Sequence, residues 1–144
     1  MPVAWQDISR WPLLLNLRLP NGASVEQIAD AVTDIWIEID RVLHPIVGHR
    51  GVAALYHRSL KVSAAGHPWL SPANPGLLAE INRDALRAAL VGQTPDDARA
   101  GALDQLEAFC TLLASLVGAS LTARLLAPVW APSEGEPPAQ EVFS

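Results

Sequence analysis

Basic and histidine side chains that could bind an anion or an acidic partner are concentrated in one part of the chain. Residues 41–79 contain no acidic residue, yet they hold all four histidines and the only lysine. Arg41, His44, His49 and Arg50 flank a stretch in which proline and glycine force the chain to turn. A concave patch of such groups would recognise phosphate or carboxylate through charge-assisted hydrogen bonds. These four residues are therefore candidate binding residues.

A row of carboxylates precedes this basic segment at helical spacing. It consists of Glu26, Asp30, Asp34 and Glu38. Side chains four residues apart share one face of a helix. If the next helix returns antiparallel, Arg58 and Lys61 come near Asp30 and Asp34, and the charges could pair within the fold. A solvated face or a charged partner surface is the alternative. A carboxylate metal site in a bundle would need Glu-x-x-His pairs, which the histidines do not form, so no metal is predicted.

The stretch HRSLKVSAAG resembles histidine phosphotransfer domains, which are also helical bundles. The resemblance implies that His57 would carry a phosphoryl group, with Lys61 close by on the same helix face. In that family the lysine comes three residues after the histidine and is followed by glycine. Here Lys61 comes four residues after His57, and Val62 follows it.

A second resemblance is carried by GHRGVAALYHRSL followed by HPWL. This combination is similar to a family of small all-helical bacterial proteins to which no activity is attached. It implies a helical fold and a bacterial origin. Within HPWL, Trp69 stands beside a proline at a helix boundary, where an indole ring often borders a pocket or an interface. Trp69 therefore joins the candidate binding residues.

Motifs that would indicate an enzyme do not occur in the sequence. It has no nucleophile elbow, phosphate-cradling glycine loop, HExxH or dinucleotide fingerprint. Cys110 could act as a nucleophile, but it lies between Phe109 and Leu113 in an apolar helical pattern, which predicts a buried and inert thiol. We expect a nonenzymatic protein without a cofactor.

Helical periodicity predicts the elements that position these groups. Ser24 and Gln27 form a capping box, and an apolar stripe follows at spacings of three and four over about twenty residues. A break is predicted between His44 and Gly51, and a second helix after it. Asn74 and Thr94, each before a proline, predict the starts of the third and fourth helices. Gly118 is predicted to end the fourth helix and to separate it from a short last helix. The predicted fold class is all-α: a helical bundle of four main helices plus a short C-terminal helix.

The two ends of the chain predict different behaviour. Leucines at alternate positions, Leu13, Leu15, Leu17 and Leu19, have the period of an extended strand, so residues 1–23 are expected to form an N-terminal extended arm. Residues 131–144 are rich in proline and glutamate and poor in apolar groups, which predicts a disordered acidic tail. One domain, 1–130, is expected to hold the bundle.

Composition limits the compartment and the partners. With 144 residues and a net charge of −5, one domain can fold without a disulfide or metal, and nucleic acid is disfavoured. A single cysteine fits a reducing compartment. The first residues lack the pattern of an export signal, and the uncharged apolar stretch 108–123 is short for a membrane span. We therefore expect a cytoplasmic protein that binds neither nucleic acid nor membrane.

These patterns together favour a bacterial regulatory or adaptor module that acts through self-association and partner binding. The leucine-rich arm would be costly to leave exposed on a monomer, so a homodimer is predicted. Two alternatives stay open. One is a phosphotransfer protein that uses His57, and the other is a sensor that binds a small apolar or anionic ligand between the helices.

Overall fold

The computed structural model describes residues 11–73 and 81–130, and every regular element in these two segments is helical. The elements are α1 (Trp11–Arg18), α2 (Val25–Ala64), a 3₁₀-helix (Pro68–Ala73), α3 (Arg83–Val91), α4 (Pro95–Val117) and α5 (Ala119–Trp130). The described segments contain no β-strand. The predicted all-α class is confirmed for this part of the chain.

Two of the predicted helix starts are confirmed by their capping bonds. At the start of α2, Ser24 Oγ accepts from the Gln27 amide at 3.1 Å, and Gln27 Oε1 accepts from the Ser24 amide at 2.8 Å. At the start of α4, Thr94 Oγ1 accepts from the Asp97 amide at 3.1 Å. These bonds satisfy amide groups that have no partner within the helix.

Helix α3 begins later than the sequence predicts. Its N-cap is Asn82, whose Oδ1 accepts from the Ala85 amide at 3.0 Å. The sequence predicted one continuous helix from Asn74 to beyond Ile81. This continuity is wrong, because Ile81 and Asn82 are not helical. The predicted start at Asn74 itself, the first ten residues of the arm and the predicted tail at 131–144 lie outside the described residues.

Helix α2 is a hairpin of two helical halves, 25–47 and 49–64, joined at Gly48. Gly48 has φ 80° and ψ 158°, a conformation outside the helical region. The second half turns back on the first, because the rings of Trp36 and Tyr56 have centroids 4.9 Å apart. Twenty residues of straight helix would separate them by about 30 Å. The break predicted between His44 and Gly51 is confirmed.

An aromatic cluster lies where the hairpin meets α4. Trp36 contacts Tyr56 edge to face and Phe109 with ring centroids 5.0 Å apart at 76°. All three side chains are fully buried. The predicted stripe of α2 faces the same core, and its buried members are Ile28, Val32, Ile35, Trp36, Ile39 and Leu43. The other helices close the core with Leu86, Leu90, Leu113, Leu126 and Val129.

The predicted extended arm is wrong for the residues that the structure describes. Residues 11–18 form α1, which buries Trp11, Leu14 and Leu15 against the bundle. Positions i, i+3 and i+4 share a helix face, so this burial follows helical and not strand periodicity. Leucines occur at both odd and even positions here, so their alternation did not distinguish a strand from a helix. Leucine also intrinsically favours a helix.

Helix α4 is long and apolar enough to cross a membrane, judged by length and composition alone. In the described structure it packs against α2 and buries Leu106, Phe109 and Leu113 in the core. A core helix passes the same test of length and composition.

Candidate functional site

The turn of the α2 hairpin brings together two of the predicted binding residues and one acidic residue that was not predicted. The rings of His44 and His49 are stacked, with centroids 4.2 Å apart and an interplanar angle of 12°. Asp40 lies beside both rings. His49 Nδ1 is 3.4 Å from Asp40 Oδ1, and His44 Nδ1 is 3.1 Å from the Asp40 carbonyl oxygen. We call Asp40, His44 and His49 the hairpin cluster.

The tautomer of His44 follows from its backbone contact. A carbonyl oxygen can only accept a hydrogen bond, so Nδ1 must carry the proton and donate it to Asp40. In the neutral ring, Nε2 is then left with an available lone pair. His44 and Asp40 are four residues apart on one helix face, and His49 joins them only because the chain reverses at Gly48.

A cleft of about 270 Å³ opens beside the hairpin cluster. Its walls are Asp40, His49, Ala53, Ile81 and Arg83. The cleft therefore combines a carboxylate, an imidazole and a guanidinium with apolar walls, which is the composition of a small-ligand site. Arg83 comes from α3, and no pattern in the sequence pointed to it.

Arg41 and Arg50, the other two residues of the predicted patch, are exposed. Neither has an ion-pair partner within 11–73 and 81–130, and neither lines the cleft. The predicted concave patch is thus only partly assembled. Its histidines meet at the turn, and its arginines extend into solvent.

The second half of the hairpin carries the remaining predicted basic residues. His57 is 4% exposed, and its ring packs edge to face against Tyr56 with centroids 5.4 Å apart. Arg58 and Lys61 are exposed. A phosphorylated histidine must reach the active site of a receiver domain, and an imidazole with this burial is not presented to one. The phosphotransfer interpretation stays a prediction without support from the described geometry.

The acidic row pairs with α1 and α3 and not with the second half of the hairpin. Both Arg18 terminal nitrogens donate to Glu38 at 2.8 Å, and Arg87 Nε donates to Asp30 at 2.8 Å. Because the Asp30 carboxylate accepts this bond, the pKa of Arg87 is raised. No ion pair joins Arg58 or Lys61 to Asp30 or Asp34 in the described segments, so that predicted pairing is wrong.

Trp69, in the 3₁₀-helix, packs against α4 and is not one of the residues that line the cleft. Its half-buried ring covers Gly101, and it meets the ring of His67 with centroids 5.9 Å apart. His67 in turn contacts Asp104, with Nε2 and Oδ2 2.6 Å apart. These contacts fix the segment after α2 against α4. The structure thus gives Trp69 a packing position, while its predicted binding role stays a prediction.

Cys110 is buried and has the environment of a structural thiol. Its sulfur accepts a hydrogen bond from Trp11 Nε1 at 3.1 Å. Burial raises the pKa of the thiol to about 12. A thiol that stays protonated at neutral pH is a poor nucleophile. The prediction of a buried cysteine is confirmed.

The outer surface of α1 is apolar. Leu13 and Leu17 are 58% and 66% exposed, one turn apart on the face opposite to Leu14 and Leu15. The helix is therefore apolar on both sides. Most surface helices bury one apolar stripe and present polar groups to water.

Comparisons with family models, with curated proteins and with solved structures give no match to this chain.

Proposed function

We propose that this protein is a nonenzymatic regulatory or adaptor module of bacterial origin that acts as a homodimer and by partner binding. Its fold in this proposal is a bundle of four main helices, formed by the two halves of α2 with α3 and α4, and α5 is the short fifth. The observation that carries the proposal is the exposure of Leu13 and Leu17 on a helix whose other face is already buried.

The polar side chains of α1 strengthen this argument because they are used within the chain. Asn16 Oδ1 accepts from Arg99 Nη1 at 2.8 Å, and Arg18 is held by Glu38. The outer surface of α1 consequently presents two leucines, bordered by polar groups that are already hydrogen-bonded. An apolar centre with a polar rim is the usual anatomy of a protein interface.

A second copy of the chain is the occupant that we propose for this surface. In a two-fold symmetric dimer the same patch meets itself, so α1 packs against α1 and each copy supplies the apolar cover that the other needs. Burying a leucine side chain contributes about 1.5–3 kcal/mol. Four leucines, two from each copy, would meet at the centre of this contact.

The chemistry of the described residues supports a role without catalysis. The Cys110 thiol is buried with a raised pKa, and His57 is packed in the core. These two candidate nucleophiles are therefore buried and not accessible to a substrate. Exposed basic groups on the second half of the hairpin, Arg58 and Lys61, remain available to an acidic partner of the dimer.

Light scattering after size exclusion tests the homodimer at micromolar concentration. We expect a dimer for the full chain and a monomer for Leu13→Gln/Leu17→Gln, since glutamine keeps the helix propensity but not the apolar surface. Val62→Gln is the matched control, because Val62 is also exposed and lies on α2. It should remain a dimer. A monomeric full chain, or a dimer that survives the double substitution, overturns the proposal.

A small-ligand sensor is the second candidate, favoured by the cleft between α2 and Arg83. Thermal-shift screening tests it, because a ligand present at 100 times its dissociation constant adds about 2.7 kcal/mol of stability. Arg83→Met should abolish the shift given by an anionic ligand. A library of small carboxylates and phosphates that gives no shift would remove this candidate.

A further inference from the structure

We propose that the hairpin cluster is a binding site for one divalent transition metal ion of the zinc type. Asp40, His44 and His49 each offer one ligand atom, and these atoms all lie within 4.8 Å of one another. Two imidazoles and one carboxylate are donors that suit Zn²⁺ and the neighbouring first-row metals. The sequence predicted no metal, because it contains no Glu-x-x-His pair and its spacing does not reveal a site closed by the hairpin turn.

Distances within the cluster are close to those of a coordinated site. In a tetrahedral zinc site with metal–ligand distances of 2.0–2.1 Å, the ligand atoms lie about 3.4 Å apart. Metal binding therefore requires a contraction of at most about 1.4 Å and a rotation of the His49 ring, which is stacked on His44, so that the two lone pairs converge. His49 can supply this movement, since its side chain is 69% exposed.

The contact of His44 with the backbone fixes a tautomer that suits a metal ligand. Its Nδ1 donates to the Asp40 carbonyl oxygen at 3.1 Å. Metal-bound histidines usually donate their second ring N–H to a carbonyl or carboxylate, which fixes the tautomer and the ring orientation. Here the bond leaves Nε2 as the ring nitrogen with a free lone pair. His67 also contacts a carboxylate, that of Asp104, but in the described segments it does not form part of a group of three such ligands.

The adjoining cleft supplies the remaining coordination position. Three protein ligands leave a zinc ion one open site, which water or a ligand can take. Asp40 and His49 line the cleft together with Arg83, so an anion held there would face both the ion and the guanidinium. The positive charge of Arg83 would weaken binding of a bare cation and favour an ion that carries an anionic ligand.

Titration of the untagged, EDTA-treated chain with Zn²⁺ alone tests the site by calorimetry, and Co²⁺ absorption reports the coordination. We expect one ion per chain, a raised melting temperature and a visible band from Co²⁺ bound to nitrogen and oxygen. His44→Ala and His49→Ala should each weaken binding at least tenfold. Asp40→Asn should also weaken it. His67→Ala is the matched control and should bind like the unchanged chain.

Circular dichroism of the metal-free variants shows whether a loss of binding reflects a loss of fold. His49 is exposed, so His49→Ala should keep the helical spectrum and the metal-free melting temperature. The proposal is overturned if the unchanged chain binds no Zn²⁺, or if His49→Ala folds and binds as tightly as the unchanged chain. It is also overturned if His67→Ala loses the ion while His44→Ala keeps it.

The metal site and the homodimer are tested independently. Leu13→Gln/Leu17→Gln lies on α1 and should retain one zinc ion per chain even when it is monomeric. His49→Ala should lose the ion and remain a dimer. A dimer that dissociates in EDTA would contradict this separation.

Discussion

Trp36 and Tyr56 meet edge to face, with ring centroids 4.9 Å apart and planes at 90°. They are twenty residues apart in one helical element, so their contact exists only because the backbone reverses at Gly48. The same reversal places His49 against the first half of α2. One backbone conformation therefore determines both the aromatic core and the hairpin cluster.

Gly48→Ala should destabilise the fold by about 1–3 kcal/mol. At φ 80° and ψ 158° the backbone is in a region that is almost exclusive to glycine. No atom lies within 4 Å of the Cβ that alanine would add, so the cost comes from the backbone and not from a clash. Urea denaturation followed by circular dichroism measures it.

Gly66→Ala is the control for this substitution. Its φ is not in the left-handed region, and the nearest atom to an added Cβ is Ser63 O at 4.0 Å. We expect its stability to be unchanged or slightly raised, because alanine restricts the unfolded chain. Equal stability of Gly48→Ala and the unchanged chain would contradict the hairpin.

Local sequence signals predicted the helices well because they act within one turn. The capping groups at Ser24 and Thr94 and the stripe of α2 need only neighbours three or four residues away. Proline and glycine located the break, but they did not specify which residue takes the positive φ. Helix α1 was mispredicted because local spacing was not sufficient there. Its leucines fit both strand and helix periods, and only burial against the bundle distinguishes the two periods.

The candidate site was harder to predict because its members meet across a turn. Grouping basic residues by position found His44 and His49 but also Arg41 and Arg50, which extend into solvent. Asp40 was missed, although it stands four residues before His44 on the same helix face. The ion pairs of the acidic row depend on how α1 and α3 dock, which no local pattern contains.

Gly101→Ala should lower stability, although alanine is the better helix former. A Cβ at Gly101 would lie 2.6 Å from Trp69 Cη2, and the rigid indole cannot yield without moving the segment that carries it. Overpacking of this kind costs about 1–3 kcal/mol and exceeds the gain in helix propensity of about 1 kcal/mol. The midpoint of urea denaturation should fall.

A double-mutant cycle with Trp69→Leu identifies the ring as the cause. Gly101→Ala should cost less when the indole is absent, which gives a coupling energy between the two positions. Gly92→Ala is the matched control, since its added Cβ would meet the nearest atom at an ordinary 3.7 Å. Independent, additive effects at Gly101 and Trp69 would show that the close approach is not the cause.

Tyr56→Phe should leave stability unchanged or raise it slightly. The Tyr56 hydroxyl is fully buried, and no group in the described segments meets it with hydrogen-bond geometry. Burial raises the pKa of this hydroxyl, and the nearby Gln105 opposes the rise only in part. Removing an unsatisfied buried polar group relieves its desolvation cost, while the ring and its contact with Trp36 are kept. Tyr56→Ala is the contrast, because it removes the ring and should cost about 3–5 kcal/mol. A loss above about 1 kcal/mol in Tyr56→Phe would reveal a hydrogen bond to this hydroxyl.

Stability should decrease at alkaline pH because of Cys110. Burial raises the pKa of its thiol from 9.0 to about 12, with a smaller contribution from Glu107 and an opposing one from the Trp11 hydrogen bond. The folded chain therefore keeps the thiol proton at pH values where the unfolded chain has lost it. The free energy of unfolding is unaffected below about pH 9 and falls as pH rises from 9 towards 12, by at most about 1.4 kcal/mol per pH unit.

Urea denaturation between pH 7 and about 10.5 measures this slope. Cys110→Ala is less stable throughout because of its cavity, but its slope should be shallower, and parallel slopes would show that the buried thiol is not responsible.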